Sequence, residues 1–253
     1  QTVFVYGYPK RNELDYMQGD AVANFTGTCA LTSIANLLTQ TNRPTTETEV
    51  VNLAIQNNWA VTDPSLPPWQ RGGSNYIGQQ NLLNALGINN NLLAGYNEQG
   101  IANLLQSGRG VIIAVNAGQL WGDNQYTGDG GVNHVVTLTG AVYDAASGAL
   151  KGFYIADSGR QLVSDMTRYI DLALFRQAVN VSNAYAIYTV EPLKLWNENI
   201  NATGNALNNS LEGNRGNNIL NGDLGNDTLN GEGGDDTLIG GFGNDIMDGG
   251  AGD

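Results

Sequence analysis

From Gly204 onward the sequence keeps a nine-residue period: Gly204, Gly213, Gly222, Gly231, Gly240 and Gly249 open successive units. Leu211, Leu220, Leu229, Leu238 and Met247 hold the eighth position, and Asn209, Asn218, Asp227, Asp236 and Asp245 the sixth. So short a unit cannot bury an apolar face alone, so it must stack on its copies. The glycines permit turn dihedrals and expose backbone carbonyls, the aspartates add hard oxygens, and the eighth-position side chains point inward as the core. Such strict spacing argues against a disordered glycine-rich tail. The charge follows the repeats: residues 204 to 253 carry 9 acids against 1 base, whereas residues 1 to 203 carry 15 acids against 10 bases, out of a net −13. An anionic surface of this kind disfavours nucleic acid and favours a cation.

These units resemble the glycine- and aspartate-rich nonapeptides of repeats-in-toxin proteins. The resemblance implies a parallel β-roll with calcium between turns, held by Asp227, Asp236 and Asp245 together with Gly222, Gly231 and Gly240. Carboxylates stacked along a turn repel one another without the ion, so folding is expected to depend on calcium. Asn209 and Asn218 replace aspartate in the first two full units and are expected to form a weakly binding cap. The last unit stops partway, at Asp253, and the expectation is a longer native protein with more repeats and a C-terminal export signal.

The other organising stretch is Phe25-Thr26-Gly27-Thr28-Cys29-Ala30-Leu31-Thr32-Ser33-Ile34-Ala35-Asn36-Leu37-Leu38, a loop running into an apolar helix. The apolar residues recur at helical spacing, and Thr26 or Thr28 is the expected N-cap. Cys29 falls in the first turn, where unpaired N–H groups and the helix dipole favour a thiolate. A lone cysteine on such a helix is ordinarily a small buried hydrophobe. This one shares the chain with a single histidine, His134, where a glycine-rich loop enters a β-rich run. The turn Asp144-Ala145-Ala146-Ser147-Gly148 then leads into a second strand that ends at Asp157. Paired antiparallel, these strands bring His134 and Asp157 to neighbouring ends. A thiol, an imidazole to take and return its proton, and a carboxylate to fix the tautomer are what nucleophilic catalysis requires.

Thr28-Cys29-Ala30, His134-Val135-Val136-Thr137-Leu138-Thr139-Gly140 and Tyr154-Ile155-Ala156-Asp157-Ser158 resemble the papain-like cysteine peptidases of bacteria, especially those that process bacteriocin leader peptides. The resemblance implies Cys29 as nucleophile, His134 as base, Asp157 as orienter, and a glutamine shortly before the cysteine to bind the oxyanion. Gln18 or Asn24 fills that last role, with Gln18 preferred; Ala30 stands where many relatives have glycine. The implied domain order is an α+β papain-like domain over residues 1–190, a linker over 191–203 and repeats over 204–253. The implied protein is a secreted calcium-binding cysteine peptidase, exported by type I secretion machinery and acting outside the cell on a peptide or protein. An acyl transferase of the phytochelatin-synthase-like type and an inert calcium-dependent adhesion module are the alternatives.

The remaining pattern fits that frame. Thr46 and Glu49 have capping-box spacing for a helix through Val50, Val51, Leu53, Ala54 and Ile55. Helices are expected over Tyr76 to Leu86, Glu98 to Leu105 and Asp171 to Val179, and strands over Gly110 to Ala117 and near Ala184 to Val190. The loop Asn58 to Asn75 is expected to wall a cleft, with Trp59 and Trp69 as packing anchors. Trp121 to Gly131 is expected to be a flexible lip. No run is long enough to span a membrane, no N-terminal signal peptide is evident, and one cysteine forbids an internal disulfide.

Overall fold

A computed structural model describes residues 3–7, 18–19, 21–40, 45–160, 162–191, 193, 201–214 and 216–252. Most of the N-terminal arm and most of the expected linker, including Pro192 and Trp196, lie outside the described residues.

Strand β1, Val3–Gly7, opens the chain, and helix α1 spans Cys29–Leu38. Every residue of α1 from Ala30 to Leu38 is buried, because apolar residues surround the helix and its polar members bond to neighbours. Helix α2, Glu47–Gln56, starts in a reciprocal capping box: the Glu49 N–H donates to Thr46 Oγ1 and the Thr46 N–H to the Glu49 carboxylate at 2.8 Å. Helix α3, Tyr76–Ala85, precedes strand β2, Asn90–Ala94, and helix α4 spans Glu98–Gln106. Asn75 and Asn97 cap α3 and α4, and Gly87 and Gly108 follow them in left-handed conformations, φ 79° and 76°.

Strand β3, Val111–Val115, is buried throughout, as its β-branched run predicts. Then come helix α5, Ala117–Trp121, strands β4, His134–Asp144, β5, Leu150–Ala156, and β6, Arg168–Asp171, helix α6, Leu172–Val179, and strand β7, Tyr185–Thr189. These strands make one antiparallel sheet in the order β2-β7-β3-β4-β5-β6, and β1 pairs with the far half of β4. The class is α+β, as expected. Two strands depart from the sequence reading. Strand β2, rich in asparagine, lacks a strand signature and becomes a strand by pairing with β7; β6 is only four residues long.

Helices cover both faces of the sheet. Ile101 and Leu105 of α4 and Phe175 and Val179 of α6 pack with Val111, Ile113, Val136 and Leu138. On the other face Leu31, Ile34, Val50 and Leu82 pack with Ile112, Ala114, Val135 and Ile187. Each such side chain contributes about 1.5–3 kcal/mol by leaving water. The β4–β5 register shifts between Leu138 and Gly140, so the alternation changes phase and Val142 joins a third cluster with Val3, Val5 and Tyr154.

The tail is built differently. Strands β8, Asn201–Thr203, β9, Ser210–Asn214, β10, Ile219–Asn221, β11, Thr228–Glu232, β12, Thr237–Ile239, and β13, Ile246–Asp248, form two parallel sheets, β8-β10-β12 and β9-β11-β13. Successive units alternate between the two sheets. Their core is small: Ala202, Leu211, Leu220 and Leu229, with Leu238 packed against them.

Candidate active site

Two side-chain bonds join α1 to β4. Ser33 Oγ donates to the Val135 carbonyl at 2.9 Å, and Thr137 Oγ1 donates to the Ser33 carbonyl at 3.0 Å. They hold the first turn of the helix against the start of the strand, so Cys29 and His134 meet. Thr28 occupies the N-cap position, but the expected capping bond is not made. Its hydroxyl instead accepts from the Gly19 N–H at 3.1 Å and from Thr32 Oγ1 at 3.3 Å. First-turn N–H groups thus stay free for sulfur. Burial by itself would raise the Cys29 thiol. The His134 hydrogen bond and charge, with backbone bonds from Val135 and Ala30, outweigh it and hold the thiol below its ordinary value.

His134 is buried, and its Nε2 lies 2.7 Å from Asp157 Oδ1. With Nε2 committed to the carboxylate, Nδ1 is the ring nitrogen left for sulfur. Asp157 directly follows β5 and is wholly buried. It accepts from the Gly159 N–H at 2.9 Å on Oδ1 and from Trp121 Nε1 at 2.7 Å on Oδ2. Burial favours the neutral acid, yet His134, Trp121 and Gly159 hold this carboxyl down at about 2. Burial likewise opposes a charged imidazole, and Asp157 with Cys29 pushes His134 up to about 10. The arrangement favours a thiolate, an imidazolium and a carboxylate in a row.

Two members of this site escape sequence reasoning. The Trp121 ring sits 5.2 Å from the His134 ring and covers it, and the Tyr126 ring meets Trp121 edge-on at 5.0 Å. A Cβ on Gly159 would lie 2.6 Å from Trp121 Cζ2 and 2.7 Å from His134 Cε1, so only glycine fits there. Asp-Ser-Gly reads from sequence as an ordinary turn, and nothing local reveals the rings above it.

The segment expected to be a flexible lip is a built structure. Trp121 closes α5, and a single 3-10 turn comes next at Asn124–Tyr126. Asn116 Nδ2 donates to the Thr127 and Gly131 carbonyls at 2.9 and 2.7 Å, and Asn133 Nδ2 donates to the Tyr126 carbonyl at 2.8 Å. The buried amide of Asn116 and the exposed amide of Asn133 thus tie down a segment whose glycine content suggested flexibility.

Cys29 and His134 lie in an open cleft of about 1720 Å³. The Asn58 to Asn75 loop does form one wall, through Trp59, Val61, Trp69 and Gly73 among others, and Trp121, Tyr126 and Arg160 lie on another. Trp59 packs against the core as expected, but Trp69 is 66% exposed and is not a packing anchor. The loop seals its own backbone with Pro68 and Arg71 carbonyl bonds to Thr26 and Gly27, leaving the Trp69 ring outside. Gln18 lines the cleft with Cys29, and its Nε2 donates to the Thr26 carbonyl at 3.0 Å. Asn24 is exposed in a left-handed turn, φ 68°, away from the lining.

The RTX calcium-binding nonapeptide repeat model matches residues 203–238 and 222–253. Calcium is therefore the tail's metal. Among solved structures the chain is similar to a double glycine motif protease from an AMS/PCAT transporter, crystallised with its leader peptide, at 17% identity over 72% of this chain and 94% of that one, TM-score 0.44. It is also similar to a putative C39-like peptidase from Bacillus anthracis, at 18% identity over 75% and 99%, TM-score 0.47. No curated protein matches the chain.

The repeat residues fit calcium. Asp227 Oδ2 and Asp236 Oδ2 are buried without a hydrogen-bond partner, a costly state for a carboxylate oxygen unless a cation meets it. A Cβ on Gly222 would lie 2.2 Å from Asp227 Oδ2 and 2.5 Å from the Gly240 carbonyl oxygen. Gly231 stands in the same relation to Asp236 Oδ2 and the Gly249 oxygen, at 2.2 and 2.7 Å. Carboxylate and carbonyl oxygens, the hard donors calcium takes, converge where a side chain would otherwise stand. Burial, with repulsion from Asp245 and Asp223, holds Asp227 above its ordinary value despite the Asn209 N–H it accepts. Among the described residues no helix is long and apolar enough to cross a membrane.

Proposed function

We propose that this chain is a secreted, calcium-binding cysteine peptidase with a Cys29-His134-Asp157 triad. The observation that carries the reading is the continuous run of interactions from the Cys29 sulfur through the His134 ring to the Asp157 carboxylate, lying at an open cleft. A thiolate there attacks the carbonyl carbon of a peptide bond, forming a C–S bond and an oxyanion. The Cys29 N–H and the Gln18 amide are the oxyanion donors in this reading. The imidazolium of His134 then gives its proton to the departing amine as the C–N bond breaks. Water, deprotonated by the same ring, releases the acid and restores the thiolate. Asp157 keeps the ring oriented and supports its charge throughout.

Residues 1–190 form the catalytic domain in this reading, and 204–253 a β-roll whose first strand, β8, already lies at the end of the expected linker. The parallel sheets with an 18-residue stagger support the roll; the oxygens that converge are those of Asp227 with the Gly240 carbonyl and of Asp236 with the Gly249 carbonyl, and Asp245, Gly222 and Gly231 join them as ligands in this reading through their equivalent places in the repeat. Calcium supplies charge neutralisation and cross-linking of turns there. Export by type I secretion belongs to the same proposal and rests on the repeats.

The test is the rate of Cys29 alkylation against pH in the parent and in His134→Ala, alongside hydrolysis of a peptide library. A thiol titrating well below about 8.5, a shift lost in the variant, and cleavage abolished by Cys29→Ala are the expected results. A sulfur titrating at its ordinary value in both proteins, with calcium uptake intact, overturns the reading in favour of an adhesion module.

A further inference from the structure

The tail makes specific contact with the sheet at residues that do not line the cleft. Tyr154, only three residues before Asp157 on β5, is buried in the cluster of Val3, Val5 and Val142. Its hydroxyl accepts from Asn205 Nδ2, and the Val3 N–H donates to the Asn208 carbonyl at 2.6 Å. Asn205 and Asn208 belong to the first turn of the repeats. That turn closes without a carboxylate: Asn209 Oδ1 accepts from the Asn205 N–H at 2.7 Å, and Asn209 Nδ2 donates to Asn205 Oδ1 at 3.2 Å. Hydrogen bonds thus engage the side-chain oxygen that the aspartate turns leave bare. Asn209 is also the link to the calcium turns, since its own N–H donates to Asp227 Oδ1 at 2.7 Å while Asp227 Oδ2 stays unpartnered.

We infer that calcium held at Asp227 stabilises the antiparallel sheet, which it does not touch, through the Asn209–Asn205 turn seated on Tyr154 and Val3. The first turn is an amide-closed adaptor: one side fits the sheet and the other presents an N–H to the first calcium-binding carboxylate. With the ion present Asp227 keeps its position, the adaptor stays closed, and the Tyr154 hydroxyl keeps its partner. Without the ion, Asp227 Oδ2 is left buried and bare beside Asp245 and Asp223, and the turn seated on the sheet loses its support. The coupling is reciprocal, so an ordered seat also raises the tail's calcium affinity.

The four tryptophans make this measurable in the full chain, because all of them, Trp59, Trp69, Trp121 and Trp196, precede the tail. With Trp196→Phe removing the one that falls in the expected linker, the fluorescence of the other three reports unfolding of the α+β part alone. Calcium at about a hundred times its dissociation constant, against EDTA, is expected to raise the tryptophan melting midpoint by about 5 °C and to slow exchange of the Val3 amide about a hundredfold. Asn205→Ala and Tyr154→Phe are each expected still to bind calcium in direct titration, up to about a hundredfold more weakly as reciprocity requires, and to lose most of that midpoint shift even at calcium that saturates them. Asn205 lies in a surface turn, so its variant folds even where the buried tyrosine change does not. A midpoint that ignores calcium, or a shift retained in full by both variants, overturns the inference. None of these readouts depends on hydrolysis, so they fail or succeed independently of the peptidase reading.

Discussion

The two parts of this chain achieve order by different means. The α+β part closes two apolar layers over an antiparallel sheet, and side chains such as Leu31, Ile34, Ile112 and Phe153 leave water completely. The tail buries only Ala202, Leu211, Leu220 and Leu229 in its apolar core, exposes Met247, whose eighth position predicts an inward side chain, and leaves Asp227 and Asp236 with bare oxygens inside. By area alone so thin a core cannot offset the entropy of ordering its residues. The contrast teaches where stability is held: in the first part by the sequence itself, in the second by a solute. It also places the proposed chemistry in the part whose fold needs no ion.

The largest test of that contrast is removal of calcium. Chelation is expected to abolish the tail's β-structure in circular dichroism while the Cys29 helix and the sheet remain folded; loss of both in one transition would erase the distinction. A smaller effect is expected within the catalytic part from Gly159→Ala. The new methyl group would stand against Trp121 and His134, so kcat/KM is expected to fall about a hundredfold, as misplacement of a catalytic group by an ångström does. The same protein should keep its calcium binding; wild-type turnover would mean the ring position is not critical.

The smallest expected effect is that of Trp121→Phe, which removes one donor to a buried carboxylate and costs about 1.5–3 kcal/mol. Asp157 is held at about 2 against an ordinary 3.8, so its contribution to stability is complete above 3.8 and disappears as pH falls through 2. His134 is raised, so its contribution is complete below 6.5 and is lost as pH rises through about 10. Losing the indole N–H raises Asp157 and moves the acid limb of stability to higher pH, leaving the alkaline limb nearly unchanged. Unfolding midpoints of both proteins between pH 2 and 10 check this, and coincident acid limbs would remove Trp121 from the carboxylate's support.

Legibility tracks the range of the forces involved. Local rules suffice for the apolar helix behind Cys29, the Thr46–Glu49 box, the glycines ending α3 and α4, and the nine-residue stacking, because each is written within one turn or one period. His134 at the start of β4 and Asp157 just past the end of β5 are also readable, since a short turn fixes which ends meet. The features that stay hidden are non-local. The cover of Trp121 over His134, the tight fit of Gly159, the conversion of Asn90–Ala94 into a strand by β7, and the seat of Asn205 on Tyr154 each depend on a partner in another element of the fold. The order of the lip has the same origin: Asn116 and Asn133 rigidify it from outside its own glycine-rich sequence.

The place of β7 in the sheet has a mechanical consequence. The chain runs toward the tail from this strand, which lies inside the sheet, paired with β2 along Tyr185 to Thr189 on one side and with β3 along Ala186 to Tyr188 on the other. A load applied to the tail therefore reaches a strand gripped from both sides, and two ladders must yield together before it comes free. A tether leaving from an edge strand such as β6 would have to peel away only one.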